Sequence, residues 1–266
     1  MCGTCGCDGD QGEAGVGHGR GHAHDHDHEH DRGAGPLEID VPIPILAANA
    51  ASAQRIRSRL ARLGVRALNV LGTPGAGKTA LLETTLARLA AQGVRAAVIV
   101  ADLATENDAK RLRGKGAPVI ALETGITCHV TAAMVEKALE QLDLAKLDIL
   151  FVENVGNLVC PALFDLGEEA KVVLTSVTEG EDKPEKYPVM FQHADLMIVN
   201  KIDLLPHVDF DLSRTAELAR RVHPEIEVMT LSARTGEGVQ KWLDWIEELR
   251  RSPRRQSAKA STAAAS

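Results

Sequence analysis

The sequence predicts an α/β fold: a mostly parallel β-sheet with helices on both faces. Three observations carry that expectation. Short apolar runs rich in β-branched residues recur along the chain, among them Ile149-Leu150-Phe151-Val152 and Leu196-Met197-Ile198-Val199. Amphipathic stretches of helical length separate them, as when strands buried on both faces alternate with covering helices. The hydrophobic content is 44% with only 3% aromatic residues, so the core must be aliphatic.

Val41-Pro42-Ile43-Pro44-Ile45-Leu46 opens the ordered region, its prolines favouring an extended path. Ala47 to Leu63 has the spacing of an amphipathic helix. Val65–Leu71 reads as the first strand and Lys78–Ala91 as the helix after it. Ala96–Ala101 is a buried strand, Glu106–Arg113 a short helix, Pro118–Leu122 a strand and Val130–Gln141 a helix. Ile149–Val152, Lys171–Val177 and Leu196–Asn200 are strands. Ser213–Val222 is a helix, Glu227–Leu231 a strand and Val239–Arg250 the closing helix.

Three domains of unequal character follow. Residues 1–36 form a flexible arm, 37–251 one folded domain of roughly 215 residues, and 252–266 a disordered, basic then Ala/Ser-rich tail. A net charge of −7 argues against a general nucleic-acid binder. The longest apolar runs are of strand length, so no membrane span is expected. Together with the absence of an apolar signal segment, these features suggest a soluble, cytoplasmic protein with reduced thiols.

The arm carries unusual chemistry. Met1-Cys2-Gly3-Thr4-Cys5-Gly6-Cys7 holds three of the five cysteines. Thiolates at a terminus serve no core, and they select Zn2+, Cu(I) or Ni2+. Once Met1 is removed, the Cys2 amine and thiolate can close a five-membered chelate ring. Cys5 and Cys7 then complete an N,S3 set that suits square-planar Ni2+. One disulfide with a leftover thiol is the alternative, and it belongs to secreted proteins. His18, His22, His24, His26, His28 and His30 are interleaved with Asp, Glu and Ala, a pattern of many weak ligand pairs with no apolar face. An expression tag would be an unbroken histidine run.

Gly72-Thr73-Pro74-Gly75-Ala76-Gly77-Lys78-Thr79 satisfies G-x-x-x-x-G-K-[ST] between a predicted strand and a predicted helix. The glycines let backbone N–H groups curl round phosphates at a helix N-terminus. Lys78 would reach the β/γ-phosphates, and the Thr79 hydroxyl would bind Mg2+. Asn200-Lys201-Ile202-Asp203 matches N-K-x-D at a strand's C-terminal end, where a carboxylate reads the N1–H and amine of guanine. Ser232-Ala233-Arg234 follows the next strand and resembles the element whose backbone supports the base. This order specifies GTP over ATP within a P-loop NTPase fold.

Asp102 and Glu153 end their strands on the phosphate side and are candidates for Mg2+ coordination and for orienting the attacking water. Either could instead cap the next helix. No Gln follows Glu153-Asn154-Val155-Gly156-Asn157 at once, so unassisted hydrolysis is expected to be slow. Cys128, His129 and Cys160 are expected in loops at the same edge as a second Ni2+ or Zn2+ site. A symmetric dimer could complete its coordination; buried structural cysteine is the plain alternative. His193, His207 and His223 read as surface or capping residues.

These residues resemble the HypB family of hydrogenase nickel-incorporation GTPases over nearly the whole chain. The resemblance rests on the Cys2–Cys7 tip, the histidine arm, Gly72–Thr79, Glu123-Thr124-Gly125 with Cys128-His129, Glu153–Asn157 with Cys160, and Asn200–Asp203. It implies a SIMIBI-class GTPase that forms a homodimer with GTP, works with a HypA-type metallochaperone, and helps deliver nickel to the hydrogenase large subunit. It also places metal on Cys2, Cys5 and Cys7 and on Cys128, His129 and Cys160. Some relatives have a further His where this chain has Ala133, which favours one shared inner metal. A urease-type nickel GTPase would carry Cys-Pro-His in place of Cys128-His129. A nickel storage protein with a vestigial GTPase domain would not need Lys78, Thr79 and Asp203 intact.

Overall fold

The computed structural model describes residues 43–102, 107–124, 129–157 and 159–254, all within the unit Pro36–Ser266. The expected arm, with Cys2, Cys5 and Cys7, lies outside them, as do Cys128 and the chain from residue 255.

The apolar runs form a seven-stranded sheet: β1 Arg66–Gly72, β2 Ala96–Asp102, β3 Val119–Glu123, β4 Ile149–Glu153, β5 Ala170–Ser176, β6 Leu196–Asn200 and β7 Glu227–Thr230. The order is β3-β2-β4-β1-β5-β6-β7, and every neighbouring pair is parallel. Parallel pairing demands crossovers, which the helices supply. They are α1 Ile43–Leu63, α2 Lys78–Ala91, α3 Asn107–Leu112, α4 Ala132–Leu139, α5 Cys160–Leu163, α6 Lys183–Lys186, α7 Pro188–Gln192, α8 Leu212–Val222 and α9 Val239–Arg251. None is both long and apolar enough to cross a membrane.

Successive strand residues face opposite sides, so each strand feeds two cores. Leu68, Val70, Phe151, Val172 and Leu174 pack with Leu82 and Leu86 of α2 and Trp242 and Ile246 of α9. Ala67, Ile99, Leu150 and Val152 pack with Ile56 and Leu60 of α1 and Val135 of α4. Aliphatic residues dominate, and the few aromatic ones are used as deep plugs: Trp242, Phe151, Phe164 and Phe191 are fully buried. The Trp242 indole donates to Thr85 Oγ1 at 2.9 Å, joining α9 to α2.

The segment around Pro44 is not extended. Helix α1 already begins at Ile43, because a proline in the first helical turn sacrifices no intrahelical hydrogen bond. The same rule explains short helices that the sequence pattern did not suggest: Pro161, Pro184 and Pro188 each open one.

Charges close the N-terminal edge of the strands. Arg66 pairs with Glu169 at 2.9 Å and donates to the Ser252 carbonyl. Arg254 reaches Glu169 at 3.2 Å and the Leu60 and Val65 carbonyls at 3.2 and 2.7 Å. Arg254, in the segment expected to be tail, is thus held against Glu169 and two carbonyls of the domain. Nearby, Arg95 and Asp148 form a two-pronged pair, Nη2 to Oδ1 at 2.8 Å and Nε to Oδ2 at 3.0 Å.

Candidate functional site

Strand order gathers the candidate residues. β1 lies between β4 and β5, so the loop after Gly72 emerges beside the ends of both. Val70 is in register with Glu153, and Ser176 with Asn200. All seven strands end at one edge, and the nucleotide motifs follow three of them.

The phosphate loop is closed on itself. Lys78 Nζ donates to the Gly72 and Thr73 carbonyls at 3.0 and 3.1 Å. Its burial lowers its pKa, opposed by the carboxylates of Glu153, Asp108 and Glu179. Gly77 caps α2 with φ of 99°, and a Cβ there would run into the Asn200 side-chain amide. Gly72, at φ 152°, would place a Cβ against the Leu174 carbonyl of the adjoining strand. Gly75 also has positive φ, while Ala76 is fully buried. Gly72 and Gly77 are therefore required by close approach as well as by backbone angle.

Glu153 sits beneath this loop. Its Oε1 accepts from the Thr79 hydroxyl at 2.7 Å, while its Oε2 is buried without a hydrogen-bond partner. Burial pushes its pKa up to about 7; the Thr79 bond and Lys78 pull the other way. A buried acceptor left over beside a hydroxyl is the donor set of a hard cation such as Mg2+. Asp102 ends β2, next to β4, and its side chain is outside the described part.

The base end is stitched together by Asn200, which is 2% exposed. Its amide nitrogen donates to the Ala76 carbonyl at 2.8 Å, and its oxygen accepts from Ala233 N at 3.0 Å. One side chain thus joins the phosphate loop to the loop after β7. Lys201 is the only non-glycine residue with positive φ among those described, at 62°. That costly left-handed turn ends β6 and starts the 3₁₀ segment Ile202–His207 that carries Asp203. Asp203 Oδ1 accepts from the Ser232 hydroxyl at 2.6 Å, so the protein itself orients the carboxylate.

Of the inner metal candidates, His129 lies against the segment that follows Cys160. His129 follows β3, and its ring stacks on Phe164, four residues after Cys160, with centroids 3.9 Å apart at 24°. Burial lowers its pKa and favours the neutral imidazole that binds metals. Cys160 is not in a loop, as expected, but is the first residue of α5. Among the described residues, no group of three His, Cys, Asp or Glu side chains gathers to hold an ion.

Sequence reasoning missed one residue, Glu179, and one contact, that of Gly156, at this edge. Glu179, in the turn after β5, accepts from the Thr73 hydroxyl at 2.5 Å, and its other oxygen is buried with no hydrogen-bond partner. Gly156 lies so close to Pro74 that a Cβ would fall within 2.7 Å of its ring. Neither contact has a local signal, since each joins segments far apart in the chain.

Residues 66–230 match the family described as CobW/HypB/UreG, nucleotide-binding domain. The chain is 52% identical over 205 residues to the hydrogenase maturation factor HypB of Azotobacter vinelandii, covering 77% of this chain and 67% of that one. The crystal structure of HypB from Helicobacter pylori in complex with nickel superposes with a TM-score of 0.75 at 36% identity, over 79% of this chain and 98% of that one. HypB from Archaeoglobus fulgidus gives 0.72 at 36%, over 77% and 100%.

Proposed function

This chain belongs to the HypB family of hydrogenase maturation factors, a branch of the CobW/HypB/UreG nucleotide-binding proteins, and from that premise we propose that it is a metal-binding GTPase whose GTP cycle drives or regulates nickel delivery into the active site of nickel–iron hydrogenase. The observation that carries the proposal is Asn200. It joins the phosphate loop to the loop after β7 through Ala76 and Ala233, which supports a site that takes both the phosphates and the base of GTP.

The roles follow from chemistry. The backbone of Gly72, Gly75, Ala76 and Gly77 cradles the phosphates. Lys78 exchanges its carbonyl partners for phosphate oxygens and offsets the charge that develops during transfer. Asn200, Lys201, Asp203, Ser232 and Ala233 hold the base, with the Asp203 carboxylate accepting from guanine. Thr79 and Glu153, joined by Asp102, would hold Mg2+, which when bound neutralises the β- and γ-phosphate oxygens. Glu153 and Asp102 orient the attacking water. Without a following Gln, turnover is slow until a partner assists.

Nickel is the cargo. Cys2, Cys5 and Cys7 take it at the tip, while Cys128, His129 and Cys160 form the inner Ni2+ or Zn2+ site, completed across a GTP-dependent homodimer. A HypA-type metallochaperone and the hydrogenase large subunit are the partners, in the cytoplasm. The domain limits proposed are 1–36 for the arm, 37–251 for the GTPase domain and the remainder for the tail. The urease-type reading is weaker, since no proline separates Cys128 from His129.

Single-turnover assays on the full chain with GTP and ATP test the core of this reading. GTP should be hydrolysed slowly and ATP not measurably. Equal turnover of both would remove the guanine assignment. Sedimentation with a GTP analogue should show more dimer when Ni2+ is added, and Cys160→Ala should abolish that increment.

A further inference from the structure

Helix α1 is fastened to both segments that carry the inner metal candidates, and one buried side chain holds the two at once. Asn49 is 8% exposed. Its Oδ1 accepts from Ala132 N at 2.8 Å, at the first residue of α4 and three residues after His129. Its Nδ2 donates to the Asp165 carbonyl at 2.7 Å, five residues after Cys160. The amide orientation is dictated by its neighbours, because a peptide N–H can only donate and a carbonyl can only accept.

Other contacts brace the same junction. Arg55 pairs with Glu136 of α4 at 2.7 Å. Arg57 Nη2 donates to both Asp165 carboxylate oxygens at 2.7 Å. Gly167 presses on α1 so closely that a Cβ would lie 2.8 Å from Ile56 Cβ. The stacked pair His129–Phe164 belongs to these same two segments.

We infer that Asn49 is a positioning residue for the inner metal pair, setting the separation of the His129 and Cys160 segments through Ala132 and Asp165. The inference rests on the proposed reading of Cys160 and His129 as metal ligands. Its physical basis is the cost of the alternative. Without the amide, a buried N–H and a half-buried carbonyl lose their partner together, and the two segments are free to part or admit water. Groups that orient metal ligands without touching the metal typically change affinity 10- to 100-fold.

The experiment uses the full chain with Cys2, Cys5 and Cys7 replaced by Ala. Of five cysteines, only Cys128 and Cys160 then remain. The thiolate-to-Ni2+ charge-transfer band therefore reports the inner site alone, even while the arm histidines take up nickel. Adding Asn49→Ala should raise the Ni2+ concentration at half-saturation of this band about 10- to 100-fold and leave GDP affinity within about twofold. Ile246→Ala, which loosens the opposite face of the sheet, should leave the band's titration unchanged. A band that titrates identically with and without Asn49 would overturn the inference, and so would equal weakening by Ile246→Ala, since general loosening would then explain both. Cys160→Ala separates the two layers of argument. If it leaves band and affinity untouched, the metal reading itself fails and the role of Asn49 falls with it. If it weakens nickel while Asn49→Ala does not, only the positioning role is lost.

Discussion

At the N-terminal edge of the strands, Arg66 lies between Glu169 and a backbone carbonyl while Arg254 satisfies two further carbonyls; at the C-terminal edge, Glu153 and Glu179 each keep a buried oxygen without a hydrogen-bond partner. The same residue types serve opposite ends. Below the sheet, buried charges meet opposite charges and carbonyls of the protein itself, and these contacts tie the end of α9 and the start of β1 into one closed unit. Above it, Lys78 rests on the carbonyls of its own loop, and burial pushes Glu153 up to about 7, a shift that the Thr79 bond and Lys78 only partly offset. A folded domain tolerates such unmet polar groups where a ligand will meet them. The contrast predicts a double dissociation: changes below should cost stability and spare binding, and changes above should do the reverse.

The largest effect should come from below. Glu169→Ala strands Arg66, whose side chain is 9% exposed, beside a vacated partner that was 7% exposed. Breaking a buried pair on one side typically costs about 3–5 kcal/mol. Urea unfolding of the nucleotide-free chain should show that loss, with GDP affinity of the folded fraction unchanged. A fall in GDP affinity of similar size would mean that the two edges are mechanically one.

Lys78→Ala tests the upper edge. Removing a buried charged partner of the phosphates should weaken GDP about a hundredfold, on the scale of 2–5 kcal/mol for such truncations. Stability should stay level or rise, because burial already disfavours this ammonium. A destabilised Lys78→Ala chain would show that the lysine is a structural brace for its loop. Next in size is Asp203→Asn. Its amide oxygen can still accept from Ser232, so the loop should persist while GTP weakens about tenfold, the scale of one hydrogen bond to a charged group. Preference should shift toward xanthine nucleotides in competition binding. Unchanged preference would place base recognition elsewhere.

Local chemistry made most of the upper edge readable and almost none of the lower. Gly72–Thr79 and Asn200–Asp203 are contiguous motifs whose backbone needs are written in adjacent residues. Leu196–Asn200 and Lys78–Ala91 have the bounds expected from sequence. Helix α1 departs because Pro44 looks like a breaker unless its place in the first turn is known. Strand order, the Thr73–Glu179 bond and the two-way grip of Asn49 join segments far apart in the chain, which periodicity does not link. Arg254 reads as part of a basic tail until Glu169 is seen beside it.

The smallest effect sharpens the comparison within the lower edge itself. Asp148 is held at a pKa of about 2, below its ordinary 3.8, chiefly by hydrogen bonding to the Arg95 guanidinium, with burial opposing. A depressed carboxyl pKa stabilises the fold above the unfolded value and loses that contribution as pH falls through the folded one. Asp148→Asn should therefore lower stability by a constant amount from pH 7 to 5, and the gap should close progressively below about pH 4. Because the Arg95 side chain is 56% exposed, the gap should be only about 0.2–1 kcal/mol and should shrink in molar salt. The loss on Glu169→Ala should persist in that salt, since solvent ions reach buried pairs poorly. Urea unfolding of both variants at pH 7, 5 and 3, in low and high salt, makes the comparison. Equal salt sensitivity would show that Arg66 and Glu169 are as open to solvent as Arg95 and Asp148, and the division between a sealed edge and a waiting edge would then have to be redrawn.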